Sequence, residues 1–203
     1  MSFTPDVRTV DDAASLRALA HPCRLALLEA LAVHGELTAT EAADLVGESP
    51  ANCSWHLRQL AKHGFIEEVP GATGRQRPWR KVGTVMEWHE SGADPAADEA
   101  ARALTRVFMQ RQFSLITEAM TRPQPPGWTD AVVATQAIAW LTEDEVRSLE
   151  DAVFALMTTH RERLTDPAAR PPGARPVRIL ALGVADDALA HLPDAPDKET
   201  PDA

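Results

Sequence analysis

Tyrosine is absent from this chain of 203 residues, and phenylalanine and tryptophan occur five times each. The phenol is therefore excluded as an acid or nucleophile, and few aromatic anchors are at hand for a core. Two cysteines thirty residues apart make no disulfide framework, and they fall short of the three or four ligands of a soft-metal site. A metal site would need His21 or His56 to converge with Cys23 and Cys53 in space. No run of about 18 apolar residues exists, and the start, MSFTPDVRTVDD, is no signal peptide. A cytoplasmic protein without membrane contact is expected. Positive charge is also short: 20 Lys and Arg stand against 30 Asp and Glu, a net charge of −10 that excludes an indiscriminate cationic DNA coat. No Gly-x-Ser-x-Gly elbow, phosphate loop or His-Glu-x-x-His run occurs, and acidic clusters such as Glu143-Asp144-Glu145 fall at helix starts, where capping and the helix dipole account for them. Neither an enzyme nor a cofactor is expected.

What is present centres on residues 38–81, TATEAADLVGESPANCSWHLRQLAKHGFIEEVPGATGRQRPWRK. Thr38 with Glu41 three residues on spells a capping box, and Ala39, Ala42, Ala43 and Val46 form an apolar stripe behind it. Gly47 permits a left-handed turn, after which Ser49 and Pro50 open a second helix as N-cap and first helical residue. On that helix Cys53, Leu57 and Leu60 share the buried face, while Ala51, Ser54, Trp55, Arg58 and Lys62 lie about half a turn away without a carboxylate among them. Gly64 stops the helix, residues 65–69 suit a strand, and Pro70, Gly71 and Gly74 turn the chain into a return strand around Trp79. Two short helices followed by a ribbon read as a winged helix-turn-helix.

Charge marks the same region. Between Cys53 and Gly83, Arg58, Lys62, Arg75, Arg77, Arg80 and Lys81 face only Glu67 and Glu68, a local net charge of +4. A cationic island in an acidic chain is the footprint of a phosphate-contacting surface. The expected DNA-binding set is Ser49, Ala51, Asn52, Ser54, Trp55, Arg58, Lys62, Arg75, Arg77, Arg80 and Lys81. Arg58 suits bidentate guanine readout, and Trp55 suits a thymine methyl or sugar edge. Trp79 reads as a hydrophobic anchor under the wing.

The run LRALAHPCRLALLEAL followed by LTATEAADLVGESPANCSWHLRQLAKHGFIEEV resembles the ArsR-type family of bacterial winged-helix transcriptional regulators over about residues 11–83. The likeness rests on the His-Pro-x-Arg-Leu opening, Leu45-Val46-Gly47 at the turn, the His56-Leu57 pair, and the spacing from Leu60 to Gly64. It implies a homodimer, usually a repressor, on a two-fold double-stranded DNA operator, with the second helix in the major groove. Metal-sensing members carry a Cys-x-Cys pair on the first helix of the motif, and here that helix holds only Thr, Ala, Glu, Asp, Leu and Val.

Around this centre the chain reads as α+β, mainly α. Residues 1–10 form a loose arm, Asp11 or Asp12 caps a helix through Leu19, and a second helix runs from Pro22 to Gly35 with His21 as a turn histidine capping it. Residues 84–92 are a linker. A long helix from Pro95 to about Arg122 carries Leu104, Val107, Phe108, Leu115, Ile116, Ala119 and Met120, broadened by Met109 and Phe113, and is assigned as the dimerisation helix by the family's habit. Beyond a Pro-rich linker a small β-α-β module is expected: a strand within 128–140, a helix capped by Thr142 and Glu145 with Arg161 and Arg163 in its last turn, and a strand at 177–184. The expected divisions are 1–92 DNA-binding domain, 93–126 dimerisation helix and linker, 127–184 β-α-β module, and 185–203 disordered acidic tail. A small organic effector, if one binds, is expected near Trp88, Trp128, Trp140 and Met157. The rival readings are a winged helix that docks a protein instead of DNA, and a cysteine-based redox or metal sensor.

Overall fold

The computed structural model describes residues 7–71, 77–83, 85–129, 133–186 and 188. They fall into two compact units, Met1–Gln136 with Thr159–Arg178, and Ala137–Thr158 with Ile179–Ala203.

In the first unit β1 (Val7–Thr9) leads into α1 (Ala13–Leu19), α2 (Pro22–His34), α3 (Ala39–Val46) and α4 (Pro50–Lys62). The wing strands β2 (Ile66–Glu68) and β3 (Trp79–Lys81) follow, then β4 (Val85–Glu87) and the 27-residue α5 (Pro95–Thr121). The helix ends stand where local chemistry dictates. Asp12 accepts from the Ser15 amide, His21 Nδ1 from the Cys23 amide, and Ser49 from the Asn52 amide. Thr38 and Glu41 close their capping box, and Gly47 takes φ 72°, the left-handed turn between α3 and α4 that residues with a Cβ avoid. Asp98, expected only to complement the α5 dipole, is buried and accepts from the Ser91 and Gly92 amides, so it also fixes the turn entering the helix.

The core is helical. Leu16 and Leu19 of α1, Leu27 and Leu31 of α2, Leu57 and Leu60 of α4, Phe65 and Leu104 of α5 are essentially sealed from solvent. The wing is an antiparallel pair with Glu67 opposite Arg80 and Glu68 opposite Trp79; Leu37 bridges to Trp79 and anchors the ribbon to the helices. Trp79 is half-buried against the core, the anchor expected.

Two expectations at the N-terminal end need correction. Residues 7–9 are not a loose arm, and residues 85–87 are not merely linker: β1 and β4 pair in parallel, Val7 with Val85 through Thr9 with Glu87. Arg8 then reaches the carbonyls of His63 and Gly64 at the end of α4 and lies 4.2 Å from the Phe65 ring centroid. A cation on the last carbonyls of a helix is favoured by the macrodipole, so this arm braces α4.

The expected β-α-β module is corrected too. Its helix is there, α6 (Glu143–Met157), opened by the Thr142–Glu145 capping box. No described residue of 133–141 or 174–186 is in a strand, and neither stretch makes a ladder hydrogen bond. Alternating apolar residues report a preference for burial, whereas a strand exists only when a neighbouring edge accepts its amides. The helix ends at Met157, so Arg161 and Arg163 lie beyond it, beside α7 (Glu162–Thr165) and a 3-10 turn at Pro167–Ala169. Apart from residues 185, 186 and 188, the expected acidic tail lies outside the described residues.

Leu57 is completely buried beneath α4. Leu57→Ala is expected to cost about 2–5 kcal/mol in urea unfolding followed by circular dichroism, against no more than about 0.5 kcal/mol for an exposed site such as Lys62→Ala.

Candidate nucleic-acid interface

Helix α4 is two-faced. Cys53, His56, Leu57 and Leu60 are buried, which turns Ala51, Trp55, Arg58 and Lys62 outward at spacings of four, three and four. Trp55 is 49% exposed, with its indole edge-on to the His56 ring at 4.7 Å between centroids. Neither Arg58 nor Lys62 has an ion-pair partner among the described residues. Asn52 and Ser54 are half-buried at the rim, and the Asn52 amide donates to Glu48 at 2.9 Å. The Ser49 hydroxyl oxygen accepts from the Asn52 amide, so that residue holds the helix start in place.

On the wing, Arg77 and Arg80 are exposed, and each is already paired: Arg77 with Glu68 at 2.8 Å and Arg80 with Glu67 at 2.7 Å. Composition put these four charges on one ribbon but not in register. Exposed pairs of this kind hold by only ~0–1 kcal/mol, so a phosphate displaces the carboxylate at small cost. Lys81 differs from them: it is half-buried, and that burial lowers its ammonium pKa. Arg75 lies outside the described residues. Sequence reasoning missed Arg8, which touches the end of α4 from 55 residues away and left no local signal.

Behind the exposed face sits a polar cluster. The His21 and His56 rings stack with centroids 4.4 Å apart, and Cys23 and Cys53 lie within hydrogen-bonding reach of each other. The convergence that a metal or redox site would need is thus partly met. Among the described residues, however, no group of three or more His, Cys, Asp or Glu is disposed to hold a metal ion. Burial, followed by the neighbouring Cys53, pushes the Cys23 thiol up to about 11, and burial raises Cys53 as well. Neutral, enclosed thiols are poor nucleophiles and poor ligands.

The four residues expected around an organic effector are divided between the units. Trp88 and Trp128 belong to the first, Trp140 and Met157 to the second. Trp88 is occupied with packing: its indole N–H donates to Thr105 at 2.9 Å and its ring meets Phe108 edge-on. Trp140 is 86% exposed.

These elements define a winged helix-turn-helix. The family described as Helix-turn-helix domain matches residues 19–69, the stretch from the end of α1 through the first wing strand. Among solved structures, NolR from Sinorhizobium fredii is similar at 22% identity over 47% of this chain and 82% of that one, with a TM-score of 0.31. RV1404 from Mycobacterium tuberculosis is similar at 15% identity over 71% and 80%, TM-score 0.28. The heme sensor protein PefR from Streptococcus agalactiae, solved in complex with heme, is similar at 14% over 72% and 78%, TM-score 0.30. No curated protein matches the chain. Global likenesses this low leave the domain match as the comparison that bears on the site.

Burial lowers the pKa of both His21 and His56 from the ordinary 6.5; the Arg24 charge lowers both further, His21 adds to the effect on His56, and Glu48 opposes it. Below pH 6.5 the unfolded chain therefore takes up imidazole protons that the folded chain refuses. Stability from this pair is complete above that pH and falls as pH drops through the window beneath it. Urea midpoints measured from about pH 7 down to about 5 should decline, and His21→Asn with His56→Gln should flatten the decline.

Proposed function

We propose that this chain is a sequence-specific DNA-binding transcriptional regulator of the ArsR type, acting as a cytoplasmic homodimer on a two-fold operator and repressing by occupancy. The observation that carries the reading is the outward stripe of α4, Ala51, Trp55, Arg58 and Lys62, which holds no carboxylate and has two cations free of ion pairs beside a wing bearing Arg77 and Arg80. With α4 in the major groove, Arg58 reaches a guanine edge and Trp55 a thymine methyl or sugar; Ser54 and Asn52 meet phosphate or base edges at the rim. The wing then exchanges Glu67 and Glu68 for backbone phosphates. Support for a second copy comes from the later half of α5, where Phe113 and Met120 are about half exposed. Effector control through Trp128, Trp140 or Met157 is a separate step that DNA binding does not require.

With ~6–8 phosphate contacts per dimer, affinity for operator DNA should fall by ~10³ or more between about 50 and 200 mM salt, and Arg77→Ala with Arg80→Ala should flatten that slope. Arg58→Ala should cost roughly 1–3 kcal/mol at one base position per half-site and leave non-specific binding nearly intact. A gel shift across genomic fragments reads both. A protein that ignores DNA at low salt is instead a protein-docking winged helix.

A further inference from the structure

Helix α6 has an apolar stripe and nothing of its own chain covering it. Val146, Leu149, Val153 and Leu156 recur at spacings of three, four and three, yet no residue of the helix is buried, and Leu156 is 75% exposed. A broad stripe suits a sheet or a bundle; this narrow one is the seam that a single second helix fills. Extended residues 137–141 and 179–184 of the same unit add Ile138, Trp140, Ile179 and Val184, all more than 60% exposed. Ten large apolar side chains of this unit stand open to solvent. Together they expose on the order of 1,000 Å², above the few hundred Å² of a monomer's largest patch and near the ~800 Å² that one partner brings to a standard interface.

We propose that α6 is a self-association helix that pairs antiparallel with α6 of a second copy of this chain. Charge selects both the occupant and the direction. Five carboxylates, Glu143, Asp144, Glu145, Glu150 and Asp151, crowd the first nine residues of the helix, with Arg147 as their one cation. Parallel pairing would set each carboxylate beside its own duplicate. Antiparallel pairing carries the two acidic ends apart, places each near the uncharged Ala152–Met157 half of the other copy, and opposes the helix dipoles favourably. In that register Leu149 meets Val153 of the other copy and Val146 meets Leu156 across a two-fold axis. The inference takes the second copy from the regulator reading above and adds where the copies meet, which the α5 assignment does not contain.

Light scattering after gel filtration of the full chain at about 1–100 μM should show a dimer, and Leu149→Glu with Val153→Glu should raise its Kd by about 100-fold or more while the thermal unfolding of the winged helix stays put. The same two positions changed to Lys should dissociate likewise. Mixing the Glu and Lys variants should restore association, because position 149 of one copy faces position 153 of the other; this positive readout does not depend on how either variant behaves alone. The proposal is overturned by a monomeric wild-type chain, by a Glu variant as dimeric as wild type, or by variants that stay apart when mixed. Phe113→Glu with Met120→Glu on α5 serves as the comparison: loss of the dimer there and not in α6 would also overturn it. A gel shift on the same samples keeps the two ideas separable, since DNA binding by a wild-type chain whose Glu variant remains dimeric sinks the α6 pairing and leaves the regulator reading standing.

Discussion

Burial of one side of α4 is the constraint from which the rest of the candidate interface follows. A helix has a single phase: once Cys53, His56, Leu57 and Leu60 are sealed against its neighbours, Ala51, Trp55, Arg58 and Lys62 have no direction left but outward. The helices beneath supply the sealing surface, and Arg8 holds the far end of α4 by its last carbonyls. A recognition surface built this way is rigid because its geometry is a consequence of core packing, and the side chains that would read DNA are spared from holding the helix in position.

Electrostatics at this surface are local. The chain as a whole is acidic, and the wing arginines are held by carboxylates on the adjacent strand. Such pairs orient the guanidinium groups without committing them, since exchange of a carboxylate for a phosphate keeps a charge-assisted hydrogen bond and releases counterions. The acidic remainder disfavours indiscriminate clinging to nucleic acid, which places the burden of affinity on the few cations that protrude. Beneath them, the stacked histidines and the paired thiols stay neutral because burial penalises their charged forms. They pack as a core does, and they make the mounting of α4 sensitive to acid.

Much of this was readable in advance because the signals are short-range. Capping boxes at Thr38 and Thr142, the Ser49-Pro50 start, the Gly47 turn and the His21 cap involve residues within three positions of each other, so their chemistry is complete in the sequence. The α4 face was legible for the same reason. The parallel pairing of β1 with β4 was not: three-residue strands 78 positions apart carry no pattern of their own, and an arm and a linker look alike until each finds the other. In the opposite direction, apolar alternation in residues 133–141 and 177–184 invited strands that a single chain does not pair.

Periodicity and capping chemistry therefore settled where the helices begin, which sides they bury and which residues point away, since each of these is fixed by neighbours within a turn or two. Folding in three dimensions settled how distant pieces meet: Arg8 on the end of α4, Glu67 and Glu68 on the wing arginines, His21 against His56, and an amphipathic α6 left without cover in its own chain. Contacts between residues far apart depend on loop closure and on the competition among many surfaces for the same partner, and no window of sequence contains that competition.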